Sequence, residues 1–433
     1  MNISIINGRL IDPANGKDAV ADLHISNDLV VGIDTSPHSF VADQLIDAEG
    51  LCVCPGLVDT QARLREPGED HTGSMESELK AAVKGGITTV CVPPDTYPII
   101  DTPAMVQMTR QRAESLGLAH VLPIGALTVG LKGERLTDMG SLHQAGCSTL
   151  SNSDRAIENT LVMRRAMQYA TTFDLIISLN AQDPWLVGNG AVHEGEISTR
   201  LGLPVIPEAA ETVGVARDLA LVETTGIRAH FSCLSTAKAV AMIARAQQQG
   251  LPVTASVTAH HLHLCETDVG VFNTMCKVMP PLRSSNDRSA LLKAVKQGVV
   301  SSICSDHQAH GRDAKLAPFS EAASGIAGLE TLLGLSITLV DREIFDLPTA
   351  IASLTINPAR AMGIERGSLG VGDQADVCVF DREKKWRLDP NSMLSRGSNT
   401  PFTDTELIGQ VEYTIVSGNI VYSRAASRVA RQG

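Results

Sequence analysis

Residues 54–70 read CPGLVDTQARLREPGED. Leu57 and Val58 form a short apolar run, Asp59 ends it, and a charged stretch follows. That is the pattern of a buried strand running into a loop at the mouth of a barrel. The pattern recurs in GLVDT, GITTVCVP, AHVLPIGA, FDLIISLN, LPVIP, IRAHFSC, LPVTASV and VVSSICSD. Between these runs lie helix-like stretches such as ESELKAAVKGG, NTLVMRRAMQYA, ETVGVARDLALVETTG, TAKAVAMIARAQQQG and DRSALLKAVKQG. Several end in glycine, the usual C-terminal stop of a helix. The alternation amounts to about eight strand–helix units, the number that closes a (β/α)8 barrel. It predicts an α/β chain with a TIM-like barrel over residues 54–365.

The two ends read differently. ISIINGRLID, ADLHISND and LVVGID near the start, and GDQADVCVFD, ELIGQVEYTIVSG and NIVYSR near the finish, are strand-like runs between turn signals. They predict a small β-sandwich domain drawn from both termini, residues 1–53 and 366–433.

The chain has 433 residues, 43% hydrophobic and 19% charged, so a large core is expected and disorder is not. Net charge is −12 and aromatics are 3%. Neither a clustered positive surface nor a stacking platform stands out, which argues against nucleic acid and anionic membrane as partners. No apolar run reaches the length of a membrane span, and the first residues lack a signal-peptide pattern. The nine cysteines are scattered without a repeated C-x-x-C, as expected of reduced thiols in a cytoplasmic protein. Cys52 and Cys54 read as alternating strand positions rather than a metal pair. In His260-His261-x-His263, strand alternation puts only His261 and His263 on one face, as a hydrogen-bonded pair.

If the middle is a barrel, the residues after each apolar run share one mouth. They are Asp59, Gln61, Arg63 and Arg65; Pro94, Asp95 and Thr96; Ser151, Asn152 and Ser153; Asn180 and Asp183; Cys233, Ser235 and Thr236; His260 and His261; and Asp306, His307 and His310.

These motifs resemble the bacterial dihydroorotases of the cyclic amidohydrolase superfamily over nearly the whole chain. PGLVDTQARLREPG is similar to the family's PG-[LIV]-[LIV]-D-x-H-x-H-LREPG. GGITTVCVPPDTYP, HFSCLSTA, FNTMCKVMPPLR, SDHQAHG, SGIAGLET and GSLGVGDQADVCVFD each resemble a family motif. The resemblance implies a scaffold for zinc-dependent opening and closing of a cyclic amide, with a zinc-bound water as nucleophile and a strand-end Asp moving the proton.

The ligand positions depart from that pattern. The two histidines of H-x-H are Gln61 and Arg63, and a guanidinium does not ligate zinc. The bridging carboxylate falls on Asn152 or Ser153, with Asp154 one residue out of register. The next two histidines become Asn180 and Cys233. Asp306 alone is kept. On the substrate side Arg65 is retained, the Asn of MPNT is Asp95, and the Asn of KVNPPLR is Met279. An Asp95–Arg65 ion pair is the expected consequence.

The departures match the non-catalytic, dihydroorotase-like chains that accompany aspartate carbamoyltransferase in some bacteria. That resemblance implies a catalytically inactive structural subunit, without zinc or other cofactor. It would assemble with the carbamoyltransferase catalytic chain, and with further copies of itself, in a large heteromeric complex of pyrimidine biosynthesis. One rival is an active cyclic amidohydrolase without metal, acting through Asp306, or with a metal relocated to Asp306, Cys233, His230 and His307. Another is a regulator whose mouth grips an anion through Arg63 and Arg65.

Overall fold

The computed structural model describes residues 1–425. Eight parallel strands form the barrel: Leu57–Asp59, Ile87–Val92, His120–Pro123 with its continuation Gly125–Ala126, Thr149–Ser151, Ile176–Leu179, Arg228–Phe231, Val253–Thr258 and Ser302–Cys304. The ring closes just past the first and last of them, where Ala62–Arg63 pairs in parallel with His307–Gln308.

A helix follows each strand, including Met75–Lys84, Thr160–Thr171, Ala209–Thr225, Ala237–Gln248 and Ser285–Lys296. Their starts are set locally. Ser74, Asn159, Thr236 and Ser284 each accept a hydrogen bond from a first-turn N–H, a contribution of about 1 kcal/mol per cap. The largest apolar cluster runs through the strands and the inner faces of these helices, from Leu57 and Ile87 to Ile303 and Leu354.

The small domain combines both ends of the chain in one sheet. Its order is Asn419–Ser423, Glu406–Val416, Val377–Arg387, Cys52–Pro55, Asn2–Asp12, Lys17–Ser26 and Leu29–Ile33, with Gln44–Asp47 also pairing with Asn2–Asp12. Cys52–Pro55 is the join: it runs parallel to Asn2–Asp12 and antiparallel to Val377–Arg387, with Cys54 opposite Cys378. Ile3, Ile5, Leu10, Val53, Val377 and Ile415 form its separate core. Ser417 and Gly418, both at positive φ, make the tight turn before Asn419, the backbone that a two-residue hairpin needs. All nine cysteines are buried and free. No helix among the described residues is long and apolar enough to cross a membrane.

Two expectations are corrected. LPVIP is not a barrel strand: Val205–Ile206 pairs with Val192–His193 outside the ring. The fourth strand is Thr149–Ser151, three residues with too little apolar pattern to announce themselves. The histidine run is not a strand either. Thr258 caps a short helix, Ala259–His263, so alternation does not apply. His261 bonds Thr258 and the Pro281 carbonyl, while His263 bonds the Leu335 carbonyl, and the two do not pair.

Candidate functional site

The backbone bends sharply where several strands end. Arg65, Ser153, Cys233 and Asp306 all have positive φ, at 65°, 53°, 55° and 43°. For residues with a Cβ this costs on the order of 1–3 kcal/mol each and survives only where the surroundings enforce it. The bends fall on the mouth, where Gln61, Arg63, Ser153, Asn180 and Asp306 converge.

Arg63 is the centre of that convergence. Its Nε donates to Asp95 Oδ2 at 2.8 Å, its Nη2 to Asp154 Oδ2 at 2.5 Å, and its Nη1 to Asp306 Oδ1 at 3.3 Å. Ser153 Oγ accepts from Nη2 at 3.3 Å. Gln308, with its amide turned so that both ends are satisfied, accepts from Nη1 at 3.0 Å and donates to the Ser324 carbonyl. Gln61 Nε2 donates to Asp306 Oδ1 at 2.9 Å, and Asn180 Nδ2 to Asp154 Oδ1 at 2.5 Å.

The charges are uneven. Burial works against the Arg63 guanidinium, but Asp154, Asp95 and Asp306 outweigh it and hold the charge on. Burial pushes the Asp95 carboxyl up, and the charge and hydrogen bond of Arg63 more than reverse this, leaving it below its ordinary value. Asp306 is different. Its side chain is 2% exposed, and burial, opposed by Arg63 but assisted by Asp154, pushes it up to about 7. The longer 3.3 Å contact is consistent with Arg63 being committed mainly to the other two aspartates.

Two sequence expectations change here. Asp95 pairs with Arg63, not Arg65. The left-handed backbone at Arg65 carries its guanidinium elsewhere, to the Ala309 carbonyl at 3.0 Å, Glu69 at 2.8 Å and His310 at 3.2 Å. Asp154 belongs to the cluster, whereas Asn152 is spent on Thr128 Oγ1 and the Arg155 carbonyl. A cluster seeking partners for a guanidinium favours the carboxylate at 154 over the amide at 152, a signal available in the sequence. Met279 is half-buried and enters none of the cluster's hydrogen bonds. A cavity of about 240 Å³ opens beside the cluster, lined among others by Arg63, Arg65, Tyr97, Asp154 and Arg155.

The residues present do not fit the zinc centre of the resembled family. Zinc takes deprotonated sulfur, imidazole nitrogen or carboxylate donors around one point. Cys233 Sγ lies 3.8 Å from Cys304 Sγ, and that contact together with burial pushes its thiol well up. His230 is committed to Thr254 and Ser256 inside the barrel, and His307 to Glu78 and the Gly328 N–H. Among the described residues, no three or more His, Cys, Asp or Glu side chains are grouped to hold a metal ion.

Asp59, Arg283 and Glu330, which keep the family pattern, build the frame together with Glu211. Asp59 accepts from both the N–H and the hydroxyl of Ser305, tying the first strand to the end of the eighth. Glu211, 2% exposed, accepts from the N–H and hydroxyl groups of both Ser235 and Thr236. Arg283 braces the same loop through Ser235 Oγ and reaches the Ile206 carbonyl. Glu330 receives the N–H groups of Leu394 and Ser395. Gln61, Arg63, Asp95 and Asn180, all at altered positions, turn into the mouth.

Residues 50–239 match the family model for dihydro-orotase-like proteins, and residues 280–422 match the amidohydrolase family model. Dihydroorotase-like proteins of Pseudomonas putida and Pseudomonas aeruginosa are 44% and 45% identical, each over 98% of this chain and 99% and 100% of their own lengths. A protein named dihydroorotase from Syntrophotalea carbinolica is 42% identical over 98% of this chain and 99% of its own. Among solved structures, an L-hydantoinase of Arthrobacter aurescens superposes with a TM-score of 0.86 over 98% of this chain and 96% of its own, at 22% identity. That likeness speaks to the fold.

Proposed function

This chain belongs to the dihydroorotase-like family of amidohydrolases, and from that premise we propose that it is a non-catalytic member serving as a structural subunit. The observation that carries the reading is the Arg63 guanidinium among Asp95, Asp154 and Asp306. A fixed cation with its donors satisfied stands where the family's chemistry would need a Lewis acid, and it would repel an incoming metal ion. In this reading the chain carries no catalytic zinc and the barrel is retained for its shape.

The partner in this proposal is the catalytic chain of aspartate carbamoyltransferase, held with further copies of this chain in a heteromeric complex of pyrimidine biosynthesis. Support comes from the match between the altered ligand positions and the non-catalytic chains of that assembly, and from the intact frame. The test is to express the carbamoyltransferase chain with and without this one, and to follow assembly size and carbamoyl transfer. Equal assembly and equal activity alone would remove the proposal. Elemental analysis after dialysis against zinc tests the absence of metal separately.

One observation favours a rival. Asp306 is pushed up to about 7, a value suited to a general acid or base near neutral pH. Against it, Gln61 and Arg63 already occupy its Oδ1. Turnover of dihydroorotate or a hydantoin by the purified chain, abolished in Asp306→Asn, would establish the rival.

A further inference from the structure

We infer that Arg63 is the structural cation of this barrel: its guanidinium, tethered next to the first strand, holds together the loops that follow the second, fourth and eighth strands. The inference rests on reading the mouth as non-catalytic and says what the mouth does instead.

The geometry uses the whole guanidinium. Nε faces Asp95, Nη2 faces Asp154 and Nη1 faces Asp306. The three carboxylates come from separate loops, so one planar group links three elements to its own strand. A lysine ammonium, a point charge without the fork, does not reproduce this. The Arg63 side chain is 9% exposed and that of Asp306 2%, so solvent screens the inner part of the cluster poorly. Gln61 and Asn180 add amide donors to the same carboxylates. They occupy lone pairs but bring no charge. Arg63 is the full positive charge bonded to all three aspartates.

Removing the guanidinium leaves the carboxylates of three loops around one hollow with only the Gln61 and Asn180 amides to offset their repulsion.

The experiment is thermal unfolding of the full chain as wild type, Arg63→Ala, and Arg63→Ala combined with Asp154→Asn and Asp306→Asn. Arg63→Ala is expected to melt roughly 5 °C lower, the scale for breaking a buried ion pair in a chain this large. The triple variant should melt above Arg63→Ala because the repulsion is gone. Should Arg63→Ala be insoluble, recovery of soluble protein in the triple variant replaces the melting readout, and no recovery counts against the inference. Arg63→Ala melting with the wild type overturns it, as does a loss that carboxylate removal does not relieve. None of these outcomes bears on assembly with a transferase, so the two proposals fail separately.

Discussion

Gln61 donates a hydrogen bond to Asp306 across 2.9 Å, joining the start of the barrel to its end. In the resembled family both positions would hold metal ligands. Here an amide donor occupies one lone pair of a buried carboxyl group, beside the ring closure made by Ala62–Arg63 and His307–Gln308.

Asp306 should leave a signature in the pH dependence of stability. Its carboxyl is pushed up to about 7, against about 3.9 in an unfolded chain. Between those values the folded protein holds a proton that the unfolded chain has released. The contribution is therefore full below about pH 4 and is lost as pH rises through about 7. Urea unfolding across this window should show the wild type losing stability relative to Asp306→Asn. A difference that stays constant with pH would contradict the assignment.

The buried histidines act in the opposite sense. Burial pushes His230, His261, His263 and His310 down to about 4, against about 6.5 unfolded. Their contribution is present above about pH 6.5 and is lost as pH falls through about 4. In Asp306→Asn, with the most strongly raised carboxyl removed, stability should fall on acidification across that range. Denaturation midpoints flat over it would count against buried neutral imidazoles.

Glu211 tests the frame. It alone receives four donors from Ser235 and Thr236. Glu211→Ala leaves those buried groups unpaired and should cost about 3–5 kcal/mol, read by chemical denaturation. Glu211→Gln, which keeps the shape and an acceptor, should cost less. Equal, small losses would show that the loop is held by packing.

Returning two ligands should create metal affinity. Gln61→His with Arg63→His would place two imidazoles beside Asp306 and remove the repelling cation. The double variant is expected to retain about one zinc per chain after dialysis, and the wild type none. Zinc in both, or in neither, would contradict this account of the mouth.

The alternation of strand and helix was legible because most barrel strands lie in apolar-rich runs and several helices end at glycine. Thr149–Ser151 escaped because three residues carry no period, and LPVIP misled because its run pairs outside the ring. The site was legible residue by residue, but its pairings were not. Arg63 meets Asp95, Asp154 and Asp306 over sequence separations of 32, 91 and 243, which no local pattern encodes. Choosing Arg65 as the partner of Asp95 failed on one backbone angle, the left-handed φ at residue 65.

The sheet made from both termini sets an order of events during synthesis. Cys52–Pro55 lies between Asn2–Asp12 and Val377–Arg387, so one of its edges waits for a strand translated after the whole barrel. At ribosomal speeds that wait is roughly 15–65 s. For that interval the strand edge from Cys52 to Cys54 has no neighbour on one side, an unpaired edge of the kind that can pair with another chain.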